Sequence, residues 1–241
     1  MTIIIEEIID RSTQGRTEPF VCRGSDGALY YVKGRFAGRE SQIKEFICGG
    51  LAVAFGLPIP AFSIVDIPQQ LINFGGRSDL ADLGGGPAFG SRHCGPSTEV
   101  TYSQLKLVES SIGKDLLVFD WWIRNEDRNL TAEGGNPNLL WDQSQNKIVI
   151  IDHNLAFDAD FDCHRFAETH VFNNLIPQVF DDLLERARYT SQLDKAFTVF
   201  DECCDNLPEE WLDEAPGWFK IKDIKEILNR YKSDAFWKVD P

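Results

Sequence analysis

Extended stretches and turn-forming residues alternate at the beginning of the chain. Residues 3–10 are rich in β-branched side chains, residues 19–23 continue in the same style after a polar loop, and residues 28–33 form a third apolar run. A Gly-Ser-Asp-Gly turn at 24–27 separates the last two runs. Such runs favour strands, and a tight turn joins antiparallel neighbours. We therefore predict three strands here, with the second and third antiparallel.

A helix with two different faces follows these strands. Apolar residues recur at helical spacing through residues 39–55, whereas the opposite face carries Glu45 among small residues. Small side chains on that face let the helix approach the sheet closely. Gly56-Leu57-Pro58 ends the helix, and residues 59–67 return as a strand. Residues 1–68 are thus predicted to form a small antiparallel β lobe with one helix.

Glycine and proline dominate the next segment, and helical patterns dominate after it. Residues 69–98 form a Gly/Pro-rich connector or flap that is too long for a plain connection. Disorder, a flap and a substrate loop are the alternatives. Amphipathic stretches cover much of residues 99–241, for which we predict a larger, mostly helical lobe that completes an α+β fold. The helical stretches include 103–112, 114–124, 176–189, 193–206 and 221–231.

Composition and charge limit the partners and the compartment. The chain has 241 residues, of which 43% are apolar, and a formal net charge of −14. Such a chain can bury a sizeable core, and its charge repels nucleic acid backbones and anionic bilayers. The N-terminus lacks a signal-peptide pattern, and no window has the apolar length of a membrane span. We expect a cytoplasmic protein that by itself binds neither nucleic acid nor membrane.

Six cysteines occur without a Cys-x-x-Cys pair. In a chain of this length without a signal sequence, we expect free thiols. A zinc site built from His93-Cys94 and Cys163-His164 is an alternative that the spacing disfavours, because the ligands of each pair are adjacent in sequence.

Two short apolar runs in the middle of the chain predict a hairpin with polar ends. Residues 139–141 and 148–151 read as strands, and the residues between them are turn-formers. A turn centred near Gln145 would bring Asn138 opposite Asp152 at the open end. Both side chains offer oxygen atoms, which are the ligands that Mg²⁺ prefers. The alternative is a hairpin with solvated polar residues.

A third carboxylate is predicted at the same edge. Asp127 lies in a polar loop between the apolar helical stretch 114–124 and the hairpin. A hydroxyl group that accepts a phosphoryl group needs a nearby carboxylate to take its proton. Because short acidic loops are common, a solvated loop is the alternative for this motif in isolation.

The polar loop between the first two strands is a candidate phosphate-binding element. Its backbone N–H groups can fold over phosphates around Gly15, and Lys33 on the third strand can reach phosphate oxygens. Glu45 is placed to meet Lys33 from the neighbouring helix. The alternatives are a solvated edge lysine and a glutamate that pairs with Lys44 or Arg39 on the helix surface.

The order of these features resembles that of the HipA-like kinases, in particular the compact bacterial branch that lacks an extra N-terminal domain. A more distant resemblance is to the phosphatidylinositol 3- and 4-kinases. The motifs that carry the resemblance are Gly-Arg-Thr-Glu-Pro-Phe at 15–20, Tyr-Val-Lys at 31–33, Gly-Leu-Pro-Ile-Pro at 56–60, Ala-Phe-Gly-Ser-Arg at 88–92, Asn-Glu-Asp-Arg at 125–128, Asn-Pro-Asn-Leu-Leu at 136–140, Ile-Asp-His at 151–153 and His-Val-Phe at 170–172.

The resemblance implies a two-lobed protein-kinase-like fold that transfers the γ-phosphate of ATP to an acceptor hydroxyl, with protein Ser or Thr as the expected acceptor. It implies that Lys33 binds the phosphates, that Glu45 orients Lys33, and that Asp127 serves the acceptor hydroxyl. Asp152 and either Asn138 or Asn136 would hold Mg²⁺. The hairpin register favours Asn138, although a longer loop than usual after Asp127 leaves both open.

The remaining site residues follow from the same resemblance. The hinge that would hold adenine is expected between the lobes, and its residues are Val65, Asp66 and Ile67. The phosphate loop comprises Ser12, Thr13, Gln14, Gly15 and Arg16. Ser12 is also a candidate for autophosphorylation, with Thr13 and Thr17 as competitors.

The expected partners are ATP and an unidentified protein acceptor, with a regulatory protein as a further candidate. Two other functions stay open. The chain could be a nucleotide-binding regulator that uses the kinase scaffold without turnover, or a kinase for small molecules or lipids. Phosphotransfer itself distinguishes the first of these from an active enzyme.

Overall fold

The computed structural model describes residues 2–12 and 17–239, which form a mixed α+β fold. The strands are β1 (Ile3–Arg11), β2 (Phe20–Gly24), β3 (Leu29–Lys33), β4 (Phe62–Ile67), β5 (Gly86–Arg92), β6 (Ser97–Glu99), β7 (Asn129–Thr131), β8 (Gly134–Asn136), β9 (Leu139–Asp142) and β10 (Lys147–Ile150).

The helices alternate with the first strands and then dominate the C-terminal half. They are α1 (Arg39–Phe55), α2 (Gln69–Phe74), α3 (Leu80–Leu83), α4 (Tyr102–Leu105), α5 (Ser110–Trp122), α6 (Cys163–Thr169), α7 (Ile176–Phe180), α8 (Leu183–Phe197), α9 (Phe200–Asp205), α10 (Glu209–Glu214) and α11 (Ile221–Leu228). Within the described ranges, no helix is long and apolar enough to cross a bilayer.

The N-terminal strands close into a barrel in the order β1-β2-β3-β5-β4. Neighbouring strands are antiparallel except β1 and β4, whose parallel contact completes the ring. Alternate side chains such as Ile5, Val32 and Val65 point inward and form a separate apolar cluster. The predicted antiparallel pairing of the second and third strands is confirmed.

One barrel strand was not predicted. β5 lies within the Gly/Pro-rich stretch 69–98, which the sequence pattern indicated as a connector or flap. It pairs on both sides, with β3 and with β4, and so it is an integral part of the barrel. The strand was missed because its glycine residues are atypical of strands. A Cβ on Gly90 would lie 2.7 Å from Cγ1 of Val65, so the tight barrel requires a residue without a side chain at this position.

Helix α1 lies between the barrel and the C-terminal helices, and its bounds agree with the predicted 39–55. Its Ile43, Ile47 and Leu51 side chains are buried in the larger apolar cluster. The predicted close approach to the sheet is confirmed at Gly49, where a Cβ would lie 2.7 Å from the ring of Phe62 on β4.

The helical part is built around α5, whose side chains are buried along most of its length. The indole N–H of Trp122 donates to the Leu228 carbonyl at 2.7 Å, and that of Trp121 donates to the Phe236 carbonyl at 2.8 Å. These bonds satisfy the only polar atom of each buried indole and fasten the C-terminal segment to the central helix. The predicted helix at 103–112 is shorter in the structure, where α4 ends at Leu105 and α5 starts at Ser110.

Candidate active site

Lys33 lies at the end of β3 and is buried. Its ammonium group forms an ion pair with Oε1 of Glu45 on α1 and lies 2.8 Å from Oδ1 of Asp152, which follows β10. The predicted contact between Lys33 and Glu45 is therefore confirmed. Two carboxylates from distant parts of the chain thus hold one lysine.

The alternative pairing of Glu45 on the helix surface is wrong. Lys44 instead forms an ion pair with Glu40 on the same helix, at 2.5 Å. Arg39 binds Glu214 of α10, with 2.7 Å between its Nε and the carboxylate oxygen. Glu45 is left to the interior because it lies on the face of α1 that meets Lys33.

Burial and the neighbouring charges shift the pKa values of Lys33, Glu45 and Asp152. Burial favours a lower pKa for Lys33, but the attraction of Glu45 and Asp152 outweighs it and the pKa is raised. For Glu45, burial alone would raise the pKa, yet the positive charge of Lys33 brings it well below its usual range. The pKa of Asp152 is raised, because burial and the nearby Glu45 together outweigh the attraction of Lys33. Lys33 and Glu45 are thus charged at neutral pH.

Glu45 also touches the segment that follows Asp152. Its second oxygen, Oε2, accepts a hydrogen bond of 3.1 Å from the backbone N–H of His153. Asp152 itself has a positive φ of 59°, so the chain turns sharply at this residue. One glutamate therefore fixes both the lysine and the backbone next to Asp152.

The hairpin that carries Asp152 was predicted with the wrong register. Trp141 faces Ile148 rather than Val149, and Asn138 consequently lies opposite Ile151 instead of Asp152. The reason is local: Oδ1 of Asp142 accepts hydrogen bonds from the N–H groups of Ser144 at 2.8 Å and Gln145 at 3.2 Å, and this fixes a tighter turn.

Both candidate asparagines contact Asp127. The amide of Asn138 donates to Oδ2 of Asp127 at 2.9 Å, and the amide of Asn136 donates to the same oxygen at 3.3 Å. Asn138 is buried at the start of the hairpin, whereas Asn136 is exposed on β8. Asn138 thus contacts Asp127, and Asp152 directly follows Ile151, the residue opposite Asn138; a common site formed by the three side chains stays a prediction.

No role was predicted from the sequence for Arg128, whose side chain holds the two ends of the hairpin together. Its guanidinium is fully buried and donates to the carboxylate of Asp120 at 2.8 Å. It also donates to the backbone carbonyls of Asn138 at 2.7 Å and Ile151 at 2.9 Å. Because Asn138 directly precedes β9 and Ile151 directly follows β10, Arg128 sets the position of the hairpin's open end.

Asp120 is held by two further buried groups. The Asn125 amide donates to its Oδ1 at 2.9 Å, and Nε2 of His170 lies 3.1 Å from its Oδ2. Nδ1 of His170 accepts from the backbone N–H of Phe172, so the ring proton sits on Nε2. Burial lowers the pKa of His170, which is therefore neutral. A charged residue inside the apolar stretch 114–124 was the available signal, since a buried carboxylate needs partners.

The phosphate-loop prediction falls mostly on residues that the structure does not describe. Ser12 follows β1, and its backbone N–H donates to the Pro19 carbonyl at 2.9 Å across the loop. Thr13, Gln14, Gly15 and Arg16 lie outside the described residues. Phosphorylation of Ser12 stays a prediction.

The predicted position of the hinge is wrong. Val65, Asp66 and Ile67 belong to β4 inside the barrel, where all three pair with β5. The chain leaves the barrel only after Arg92 and reaches β6, which pairs with β9, at Ser97. The barrel and the rest of the chain are therefore connected by residues 93–96. The predicted hinge lies one strand too early, because β5 still follows it within the barrel.

The sequence matches the HipA-like kinase family over residues 5–240, nearly its whole length. The chain belongs to the HipA-like kinase family. The crystal structure of a Helicobacter pylori proinflammatory kinase, CtkA, is similar to it with a TM-score of 0.45 and 12% sequence identity, and the similarity covers 97% of this chain and 95% of that chain. No curated protein matches the sequence significantly.

The donor atoms of this HipA-like kinase suit a hard cation. Asp152 carries a carboxylate and Asn138 an amide oxygen, which are ligand types that Mg²⁺ prefers together with phosphate oxygens. Among residues 2–12 and 17–239, no group of three or more His, Cys, Asp or Glu side chains could hold a metal ion. The six cysteines are free, as predicted.

Proposed function

We propose that this HipA-like kinase is a two-lobed, ATP- and Mg²⁺-dependent enzyme that phosphorylates Ser or Thr of a protein. The observation that carries the proposal is the contact of Lys33 with Glu45 and Asp152, beside an edge where Asp127 receives the amide of Asn138. This arrangement supplies a fixed positive charge for phosphates and a carboxylate for an acceptor hydroxyl.

We further propose a division into lobes that starts from the predicted boundaries. Residues 1–68 form the small lobe, to which β5 at 86–92 also belongs because it completes the barrel. The rest of 69–98 connects the lobes, and residues 99–241 form the catalytic, mostly helical lobe. The cleft between barrel and hairpin would bind ATP.

The base of ATP is better placed near the connection 93–96 than at Val65–Ile67. Tyr31 is exposed and lies on the same face of β3 as Lys33, two residues away. Its ring lies 5.9 Å from the ring of His93 at the start of this connection. An adenine that stacks near these rings would direct its phosphates along β3 towards Lys33.

The chemistry requires one bond to form and one to break. The acceptor oxygen forms a bond to the γ-phosphorus, the bond from that phosphorus to the β–γ bridging oxygen breaks, and ADP leaves. Asp127 accepts the proton of the hydroxyl group. Lys33 holds the phosphate oxygens, while Glu45 keeps Lys33 in place. Mg²⁺, held by Asp152 and Asn138, would neutralise phosphate charge.

The test is incubation of the purified protein with labelled ATP and Mg²⁺, alone and with cell lysate, followed by mass spectrometry of the labelled species. We expect label on Ser or Thr of a protein, and far slower labelling with Asp127→Asn. Tight binding of Mg·ATP without any transfer would contradict the proposal and favour the non-catalytic regulator. Label on a lipid or a small metabolite alone would favour the other kinase classes.

A further inference from the structure

A small hairpin stands next to Asp127. It consists of β7 and β8 and fills the long connection between Asp127 and Asn138. On its inner side, Asn129 of β7 forms a bridge with His170, so β8 is the outer strand. In the part of the chain that the structure describes, no strand pairs with the outer edge of β8, and its residues are exposed.

The outer edge of β8 offers backbone groups at Gly135. The N–H of Asn136 points to β7, since it donates to Oδ1 of Asn129. Successive residues of a strand direct their N–H and C=O groups to opposite sides, so those of Gly135 point outward. A Cβ on Gly135 would lie 2.5 Å from the Asn129 carbonyl oxygen, so the hairpin requires glycine and its backbone stays uncovered.

A strand added to this edge would bring a side chain to Asp127. The amide of Asn136 lies 3.3 Å from Oδ2 of Asp127, so that face of β8 is turned towards the carboxylate. Side chains that face each other across two strands lie on the same face, about 5 Å apart at Cβ. A residue opposite Asn136 would therefore project its side chain beside Asp127.

The surroundings favour a positively charged segment. From Glu126 to Glu168 inclusive the chain carries nine acidic and three basic residues, of which Asp142 and Arg128 are buried. Glu133 at the tip of the hairpin and Asp160 in the loop before α6 are both exposed. The Asp160 loop is close to the site, because the N–H of Asp162 donates to Oε1 of Glu126, the residue before Asp127. Such a surface attracts basic partners and repels acidic ones.

We propose that the edge of β8 binds the acceptor, a Lys- or Arg-rich protein segment in extended conformation. The segment would add to β8 as a third strand through the N–H and C=O of Gly135, with its Ser or Thr opposite Asn136. Strand addition of this kind supplies affinity from the main chain and selects residues by their side chains. The proposal rests on the proposed kinase activity and assigns its acceptor site.

The first test uses a library of short peptides with a single central Ser or Thr, supplied with Mg·ATP. We expect enrichment of Lys and Arg beside the phosphorylated residue. In the best peptide, methylation of one backbone nitrogen within one residue of the acceptor should reduce kcat/KM roughly tenfold, because it removes a hydrogen bond to Gly135. Methylation of the next nitrogen along the peptide should have little effect, because strand pairing alternates.

The second test uses Glu133→Lys, with Glu226→Lys on the exposed face of α11 as a control of equal charge change. We expect a severalfold higher KM for basic peptides with Glu133→Lys only, and an unchanged KM for ATP with both. The acceptor site would be overturned, and the kinase activity upheld, if phosphorylation of peptides were unchanged by methylation at every position and by both charge reversals. Transfer to lysate proteins but to no peptide would overturn it as well. Absence of any transfer would instead contradict the proposed function.

Discussion

Two groups of buried charges hold the same hairpin, and they differ in how far water can reach them. In the first group, the side chains of Lys33 and Asp152 retain 9% and 24% exposure. In the second, Arg128 and Asp120 retain 0% each. Lys33 contacts the carboxylate of Asp152, whereas Arg128 contacts the backbone carbonyl of the preceding residue, Ile151. Water therefore reaches the first group, as the proposed binding of phosphates by Lys33 requires, whereas the second group is fully enclosed.

The largest effect on activity is expected from Asp127, which lies next to the hairpin that both charged groups hold. Asp127→Asn should lower kcat by roughly 10²–10⁴-fold, since the amide cannot accept the proton of the acceptor hydroxyl. The affinity for Mg·ATP should change much less, because Lys33, the proposed phosphate ligand, is untouched. Single-turnover kinetics and calorimetry measure the two quantities. Equal turnover in the mutant and the parent would remove Asp127 from the chemistry.

Matched substitutions of the two buried cations should separate support from function. Arg128→Met leaves the Asp120 carboxylate in the interior without its main partner, and we expect a loss of about 3–5 kcal/mol in the free energy of unfolding. Lys33→Met also leaves buried Glu45 without its cation, but Asp152 is partly hydrated, so we expect a smaller loss of stability together with severely weakened ATP binding. Denaturant unfolding and calorimetry on both variants test this. Similar stability losses with unchanged ATP binding in Lys33→Met would show that both groups are structural.

The two asparagines on Asp127 provide a finer comparison. Asn138 is buried and its backbone is held by Arg128, whereas Asn136 is exposed on β8. We expect Asn138→Ala to reduce kcat/KM at least roughly tenfold more than Asn136→Ala, with partial recovery at high Mg²⁺ or Mn²⁺. A metal titration of activity in both variants decides this. Stronger dependence on Asn136 would move the metal ligand to the long loop.

The smallest expected effect is a shift in pH dependence. Since the pKa of Asp152 is raised, this carboxyl takes up a proton at a higher pH than an ordinary Asp, whose pKa is about 4. A protonated carboxyl binds metal poorly, so the Mg²⁺-dependent part of ATP affinity should decline on acidification before surface carboxylates titrate. Lys33, with its raised pKa, stays charged throughout. Calorimetry across this range should show a flatter profile for Asp152→Asn, and identical profiles would contradict the assignment.

Local patterns in the sequence were enough to predict most strands and helices, but not the contacts in which these elements pack most closely. The period of apolar residues predicted β1, β2, β3 and the bounds of α1, and the face of α1 predicted the meeting of Glu45 with Lys33. β5 was missed because a tightly closed barrel selects glycine where an open sheet would select branched residues.

The remaining errors arise from contacts that a linear pattern does not record. The hairpin register depended on three hydrogen bonds to one carboxylate oxygen of Asp142, which shift the turn by one residue. The Arg128 cluster joins Asp120, Asn138 and His170, which are far apart in sequence. Such a cluster is visible only once the chain is folded, although a charge in an apolar helix is a signal to search for one.

The sharing of Glu45 between Lys33 and the His153 N–H has a thermodynamic consequence. A single carboxylate cannot move towards Lys33 without changing its contact with the backbone next to Asp152. The proposed binding of ATP at Lys33 and of Mg²⁺ at Asp152 should therefore be cooperative. By linkage, the factor by which Mg²⁺ tightens ATP binding must equal the factor by which ATP tightens Mg²⁺ binding.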